Sequence, residues 1–403
     1  MKLSKTWTFL TLACLLVGAC DKKKTPVINP TPEDNTAETT VLLYMMGENS
    51  LSYFVREDLQ EVVQGVKEMP ENNHFVIFVD DASYPYMIHY EKKNGKAICD
   101  TLIRYTEDIC STDPKILKET LHTVYQRFPS NQYGLILWSH GDGWIPATQK
   151  AQTRFIGIDN ETNSHSSNIG PQMEIVDLAN VLADFPPMKF ILFDACFMQS
   201  VEVAYELRNC AEYLIGSPME IPGPGAPYHQ IMAPMFAPEG TDVHGIAYNY
   251  YAYYDTELNG GISTTYGAAI STICCAELEN LAEETKTIIH SYIQKGSGIT
   301  ADQLYPYDFR SRQFYYDLGD FVKQTATADE YSRWKGQWQR SVPDCYTTPT
   351  VYSAYDGYIR MDSERYHGIS MYMPKEESRY NSYNGAFKQT QWYTAAGWNK
   401  TGW

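Results

Sequence analysis

The sequence predicts an α/β protein in which a mostly parallel sheet carries helices on both faces. Two observations predict it. Short apolar runs, VLLYMM at 41–46, HFVIFVD at 74–80, LILW at 135–138 and KFILFD at 189–194, lack the polar alternation of a half-solvated strand. Strands buried on both sides read this way. Between the runs lie segments with apolar residues at helical spacing, and alternation of strand with helix favours parallel pairing.

The elements follow in order. After the 41–46 strand, Leu51, Val55, Leu59, Val62 and Val66 mark one face of a helix that Pro70 stops. The 74–80 strand comes next, then a hairpin of Tyr86 to Tyr90 and Lys96 to Ile103 around the turn residues Lys93, Asn94 and Gly95. Asp113 caps a helix with Pro114 at its first position and Ile116, Leu117, Leu121, Val124 and Phe128 along one side. Gly134 to Trp138 is a strand, Met173 to Phe185 an amphipathic helix, Lys189 to Asp194 a buried strand, Phe197 to Leu207 a helix and Tyr213 to Gly216 a strand. Beyond Tyr228, His244 to Thr256 and Ala276 to Ile293 read as helices, Thr264 to Ile273 and Ser370 to Met373 as strands.

The N-terminus carries an address. Lys2 and Lys5 precede an apolar run from Trp7 to Ala19, too short to span a bilayer and of the kind found in secretion signals. Val17, Gly18, Ala19 and Cys20 resemble a bacterial lipobox, which implies cleavage after residue 19 and lipidation of Cys20; the alternative is a plain signal peptide with an incidental cysteine. Residues 20–40 are polar and proline-bearing, as a flexible tether is. The expected organisation is therefore signal 1–19, tether 20–40, a catalytic core at 41–228 and a C-terminal α/β region at 229–403 that completes the sheet. The expected location is the bacterial cell envelope, lipid-anchored, either periplasmic or surface-exposed.

Composition excludes some partners. With 403 residues, 43% hydrophobic and a net charge of −17, the chain buries a full core and repels nucleic acid. Of nine cysteines, Cys14 leaves with the signal and Cys20 takes lipid; the remainder is odd in number, so at least one thiol stays unpaired within the chain. No CxxC or Cys/His zinc spacing occurs among them.

Chemistry concentrates at two strand ends. In open parallel sheets ligands bind beyond the carboxyl ends of the strands, and His140 stands two residues past Trp138, Cys196 two past Asp194. If these strands are neighbours, about 4.8 Å apart, the two side chains meet over the sheet edge. A cysteine opening the helix predicted from Phe197 gains thiolate character from the helix dipole, and an imidazole beside it takes and returns the proton. Gly141 offers an unobstructed backbone N–H that with the N–H of Cys196 makes an oxyanion hole. Taken singly, Cys196 reads as a small buried hydrophobe and His140 as a capped loop histidine; as a pair on consecutive strand ends they favour catalysis.

HGDGW at 140–144, FDACFMQSVEVAYEL at 193–207, YLIGSPMEIPGPGAPY at 213–228, YDLGDF at 316–321 and HGISMYMP at 367–374 together resemble the clostripain family of cysteine peptidases. The resemblance, covering roughly residues 41–374, implies a caspase-like three-layer sandwich, His140 as general acid/base and Cys196 as nucleophile. It implies protein or peptide substrates cut after Arg or Lys, with Asp194 lining the S1 pocket; should Asp194 instead support the fold or orient Cys196, Glu220 is the next pocket candidate. It also implies a zymogen that cuts itself in the segment between the catalytic residues, where Lys150 and Arg154 are the basic residues available. Phe197 and Ala226 depart from the leucine and tryptophan frequent in the family, and the second alters the expected cleft shape.

Other features read more plainly. DNETNS at 159–164 starts like an EF-hand loop, but Ser164 replaces the turn glycine and Gly170 the bidentate glutamate, so a solvated acidic loop is the better reading. No cofactor is required by the proposed chemistry; calcium remains possible elsewhere, as the resemblance implies. Gly223 to Gly225 reads as a rigid cleft wall, and His367 as structural. The 32 tyrosines, dense at 248–254 and 372–393, suggest core packing or an aromatic surface. The latter would suit a non-catalytic glycan or peptide binder. A third reading keeps the peptidase and changes the preferred residue to Asn or Asp.

Overall fold

The computed structural model describes residues 36–81, 83–145, 155–160, 168, 170–257 and 266–403. Cys20, Lys150 and Arg154 lie outside them, as does most of the 159–164 run.

The first twelve strands are β1 (Ala37–Met46), β2 (Asn73–Asp80), β3 (Tyr86–Lys93), β4 (Lys96–Arg104), β5 (Ser130–Trp138), the short β6 (Ile156–Ile158) and β7 (Gln172–Met173), then β8 (Met188–Asp194), β9 (Ala211–Gly216), β10 (Ala269–Cys274), β11 (Tyr316–Asp317) and β12 (Asp344–Thr347). Nine of them form one sheet in the order β12-β10-β9-β8-β5-β1-β2-β3-β4. The five central strands β9, β8, β5, β1 and β2 are mutually parallel. The edges are antiparallel: the β3–β4 hairpin on one side, β10 and β12 on the other. Thus the C-terminal region does contribute strands to the sheet.

Alternate residues of the central strands feed two cores. Leu42, Tyr44, Leu135, Leu137, Ile191 and Phe193 face the helices α2 (Pro114–Arg127), α3 (Ile175–Leu182) and α4 (Val201–Leu207). Val41, Leu43, Ile136, Phe190 and Leu192 face α1 (Ser52–Gly65), α5 (Tyr228–Met235) and α6 (Val243–Ala252). Period-two alternation on strands buried from both sides produces the three layers. The later helices α7 (Leu278–Tyr292), α8 (Leu318–Thr325) and α9 (Ala328–Ser341) extend the first core. No helix among the described residues is long and apolar enough to cross a membrane.

Three expectations shift. Strand β1 starts at Ala37, inside the stretch expected to be tether, because Thr39 N–H reaches Asn73 Oδ1 at 3.0 Å and Thr40 Oγ1 lies 2.5 Å from Ser130 Oγ. Neighbouring strands thus satisfy polar residues that composition alone assigns to solvent. The helix expected from Phe197 begins at Val201, with Ser200 as N-cap accepting from Val203 N–H at 3.2 Å. The clustered tyrosines serve mainly the interior: Tyr250, Tyr254, Tyr372 and Tyr380 are fully buried, whereas Tyr248 is exposed. None of the seven cysteines from Cys99 to Cys345 is in a disulfide.

Candidate active site

Strands β5 and β8 are adjacent and parallel, with Trp138 opposite Asp194, and the Ser139 N–H extends their ladder to the Asp194 carbonyl at 3.3 Å. His140 and Cys196 therefore leave neighbouring strands at the same level. Gly141 fixes how close the two turns come: a Cβ there would stand 2.7 Å from the Cys196 carbonyl oxygen and 2.9 Å from Ala195 Cβ. Any side chain at 141 would push the histidine loop off the cysteine loop.

The turn after β5 is tied down on its other side. His140 C=O accepts from Gly157 N–H at 2.9 Å, and Asp142 N–H donates to the Phe155 carbonyl at 3.1 Å. Because these flanking bonds make the bridge between Gly141 and Ile156, Gly141's own N–H points away from it. Neither that N–H nor the N–H of Cys196 donates to another described residue, leaving both for an oxyanion.

The imidazole partner comes from the loop after β1, where Ser50 Oγ lies 2.9 Å from His140 Nε2. Asn49 braces that loop by donating to the Met46 and Ile158 carbonyls at 2.9 and 2.8 Å, and Ser139 Oγ donates to the Met46 carbonyl at 2.7 Å. Sequence reading missed Ser50, since it stands 90 residues from His140 and belongs to no motif.

The half-buried Cys196 thiol accepts a hydrogen bond from Ile221 N–H at 3.3 Å. Burial pushes the thiol up to about 12, the Ile221 N–H opposes this, and the carboxylates of Glu220, Asp142 and Asp194 add to it. Burial lowers His140 to about 4. Burial thus favours the uncharged form of both groups, the thiol and the neutral imidazole. The expected help from a helix dipole is absent because α4 starts five residues beyond Cys196, and the field of a helix end fades within about one turn.

Phe197 has a left-handed φ of 61°, a conformation unfavourable for a residue with a Cβ. Its ring stacks on Tyr315 at 4.9 Å and lies 4.9 Å from the Arg310 guanidinium, which also reaches the Tyr315 ring at 6.0 Å. Arg310 also grips both oxygens of Asp142, at 2.8 and 2.9 Å, and bonds to Asp308. One buried cation thus joins the loop of the histidine to the residue after the cysteine.

Asp194 lies beneath the Gly223 to Gly225 wall. Its oxygens accept from Ala226 N–H at 3.1 and 3.0 Å, from Tyr228 Oη at 2.9 Å and from Tyr250 Oη at 3.0 Å. Burial pushes it up to about 6 against those donors. Gly225, at φ 64°, permits the approach, because a Cβ would sit 2.8 Å from Asp194 Oδ2. Nearby, Asp58 accepts from Trp138 Nε1 at 2.6 Å and feels the charge of Asp194. Glu220 accepts from Ala354 N–H at 3.2 Å. The two tyrosines and Asp58 also escaped the sequence reading. His367, by contrast, is paired with Asp317 at 2.8 Å in the interior, in keeping with a structural role.

The model of the clostripain family matches residues 43–403. The chain belongs to that family. It is 22% identical over 441 aligned positions to clostripain of Hathewaya histolytica, covering 94% of this chain and 82% of that protein. Among solved structures it is similar to a secreted C11 cysteine protease from Bacteroides thetaiotaomicron in complex with an irreversible peptide inhibitor. That match has 32% identity, covers 90% of this chain and 100% of the other, and has a TM-score of 0.79. An inactive zymogen C11 protease from Parabacteroides distasonis is 31% identical, with 92% and 99% covered and a TM-score of 0.76. This member of the clostripain family is accordingly a cysteine endopeptidase acting on protein or peptide substrates, and the binder reading is set aside.

Proposed function

We propose that this clostripain-family peptidase hydrolyses peptide bonds after Arg or Lys, with Cys196 as nucleophile and His140 as general acid/base. As the thiol attacks the carbonyl carbon, its proton passes to His140 and the negative charge collects on the carbonyl oxygen between the N–H groups of Gly141 and Cys196. Collapse breaks the C–N bond, and the imidazolium gives its proton to the leaving amine. Water, deprotonated by His140, then opens the thioester and restores the thiol. The resting protonation of both groups fits transfer of the proton during attack.

The observation that carries the basic preference is the set of carboxylates bearing on Cys196, namely Glu220, Asp142 and Asp194. Asp142 is already paired with Arg310, which leaves Asp194 and Glu220 as the acids for a cationic side chain; we assign them to S1. The zymogen neighbour supports self-processing, which we assign to the segment near Lys150 and Arg154, its available basic residues. Anchoring through Cys20 in the bacterial envelope belongs to the same reading, on the lipobox-like VGAC at 17–20.

A P1-scanning fluorogenic peptide library on the chain from Thr40 onward tests the specificity. Cleavage confined to Arg and Lys is expected; a preference for Asn, Asp or a neutral residue would refute it.

A further inference from the structure

Beyond the catalytic pair and the acids assigned to S1, a short hairpin borders the cleft. Its strands, β13 (Thr350–Ser353) and β14 (Gly357–Arg360), pair antiparallel with Tyr352 directly opposite Tyr358. Val351, Ser353 and Ile359 are buried on the inward face, so the alternation of a strand sends both tyrosines outward together. Tyr352 is half-buried, while Tyr358 and the tip residue Tyr355 are exposed.

Two hydrogen bonds fix the hairpin beside the nucleophile. Tyr352 N–H donates to the Gly267 carbonyl, two residues before β10, at 3.1 Å, and Ala354 N–H donates to Glu220 at 3.2 Å. Glu220 is followed by Ile221, whose N–H donates to the Cys196 thiol at 3.3 Å. Tyr352 accordingly stands close enough to Glu220, Cys196, Tyr358 and Tyr266 for their charges to act on its phenol.

The chemistry sets which part of a substrate passes here. His140 must hand its proton to the leaving amine, so residues after the scissile bond lie on the β5 side of Cys196. The acyl part extends the other way, over β9 and β10, where the hairpin stands. The P1 side chain turns to Asp194, which is held by Tyr228 and Tyr250 of the second core, whereas the hairpin packs through Val351 on the first. In an extended peptide neighbouring side chains point to opposite sides. The residue before P1 therefore turns to the tyrosines.

Building on the assignment of Asp194 to S1, we propose that Tyr352 and Tyr358 form a platform for the P2 side chain and select a large apolar or aromatic residue there. Phenol rings give wide apolar contact at low cost in side-chain entropy and stack with other rings offset or edge-on.

The test is kcat/KM on fluorogenic peptides whose P1 is the best residue of the P1 scan and whose P2 and P3 are varied in turn. In the wild type, Phe, Tyr or Leu at P2 should exceed Gly by roughly tenfold. That ratio should fall to about twofold or less in Tyr352→Ala and Tyr358→Ala and stay near the wild-type value in Tyr352→Phe. A role in stability alone would lower all peptides alike and leave the ratio unmoved. Tyr358→Ala, at an exposed position, decides the matter if Tyr352→Ala fails to fold. A wild type indifferent to P2, selection at P3 alone, a preference for charge at P2, or an unchanged ratio in Tyr358→Ala would overturn the platform. Cys196→Ala on the same peptides keeps the two questions apart: cleavage that survives it refutes the proposed mechanism, whereas cleavage lost with it beside a flat P2 profile refutes the platform alone.

Discussion

Ser50 Oγ lies 2.9 Å from His140 Nε2, so the ring of the proposed general base is oriented by a hydroxyl from the loop after β1. A net hydrogen bond is worth about 0.5–1.5 kcal/mol, which corresponds to roughly two- to tenfold in rate. Ser50→Ala should lower kcat by that factor with KM little changed and the fold intact. Steady-state kinetics checks it, and an unchanged kcat would show that the ring needs no such support.

Cys196→Ala and His140→Ala should each abolish peptide cleavage while melting like the wild type. The Cys196→Ala chain should also stay intact on incubation, whereas wild type should be cut near Lys150 or Arg154. N-terminal sequencing of the fragments reads this out. Identical cutting of the Cys196→Ala chain in a protease-free preparation would show that the cut is not its own.

Asp194→Asn should reduce cleavage after Arg by roughly thirtyfold or more, since losing one partner of a desolvated charge pair costs about 2–5 kcal/mol. Cleavage after a neutral residue should suffer less. Equal losses on both substrates would mean that Asp194, with its four hydrogen-bond donations from Ala226, Tyr228 and Tyr250, serves to hold the cleft wall and not the substrate.

Arg310→Ala should destabilise the protein by about 3–5 kcal/mol, because it strands the buried carboxylates of Asp142 and Asp308. Arg310→Lys should restore part of the stability but not the grip on Phe197, since an ammonium cannot bond both acids in a plane while covering a ring. Denaturant unfolding and kcat, measured on both variants, separate the two roles.

Acid stability should depend on the His74 and His89 pair, whose rings meet at 2.9 Å. Burial lowers His74 to about 4; it also depresses His89, to about 3, helped by the charges of His74 and Arg127. Between about pH 4 and 6.5 the unfolded chain binds more protons at these sites than the folded one. Their contribution is therefore complete above the unfolded value and is lost as pH falls. Asp194, raised by burial to about 6, acts in the opposite sense over part of that window, so the comparison is with His89→Gln. The wild type should lose several degrees more of melting temperature than the variant from pH 6.5 to 4. Parallel melting curves would exclude the pair as the acid-sensitive element.

Some of this architecture was legible in advance. The apolar runs at 41–46, 74–80, 135–138 and 189–194 determine their strands because a strand buried on both faces tolerates little else. The position of His140 and Cys196 past two such runs follows from the same local rule, and Gly141 follows from the need for a close turn. The start of α4 was misread because Phe197 and Met198 continue the helical spacing, whereas Phe197 has a left-handed φ and packs its ring on Tyr315 and Arg310, more than a hundred residues away. Ser50 against His140, and Tyr228 and Tyr250 against Asp194, were decided only by the tertiary structure. Sequence periodicity encodes which face of an element is buried; which polar group waits on the next strand depends on sheet order and register, and those are set by the packing of the whole chain.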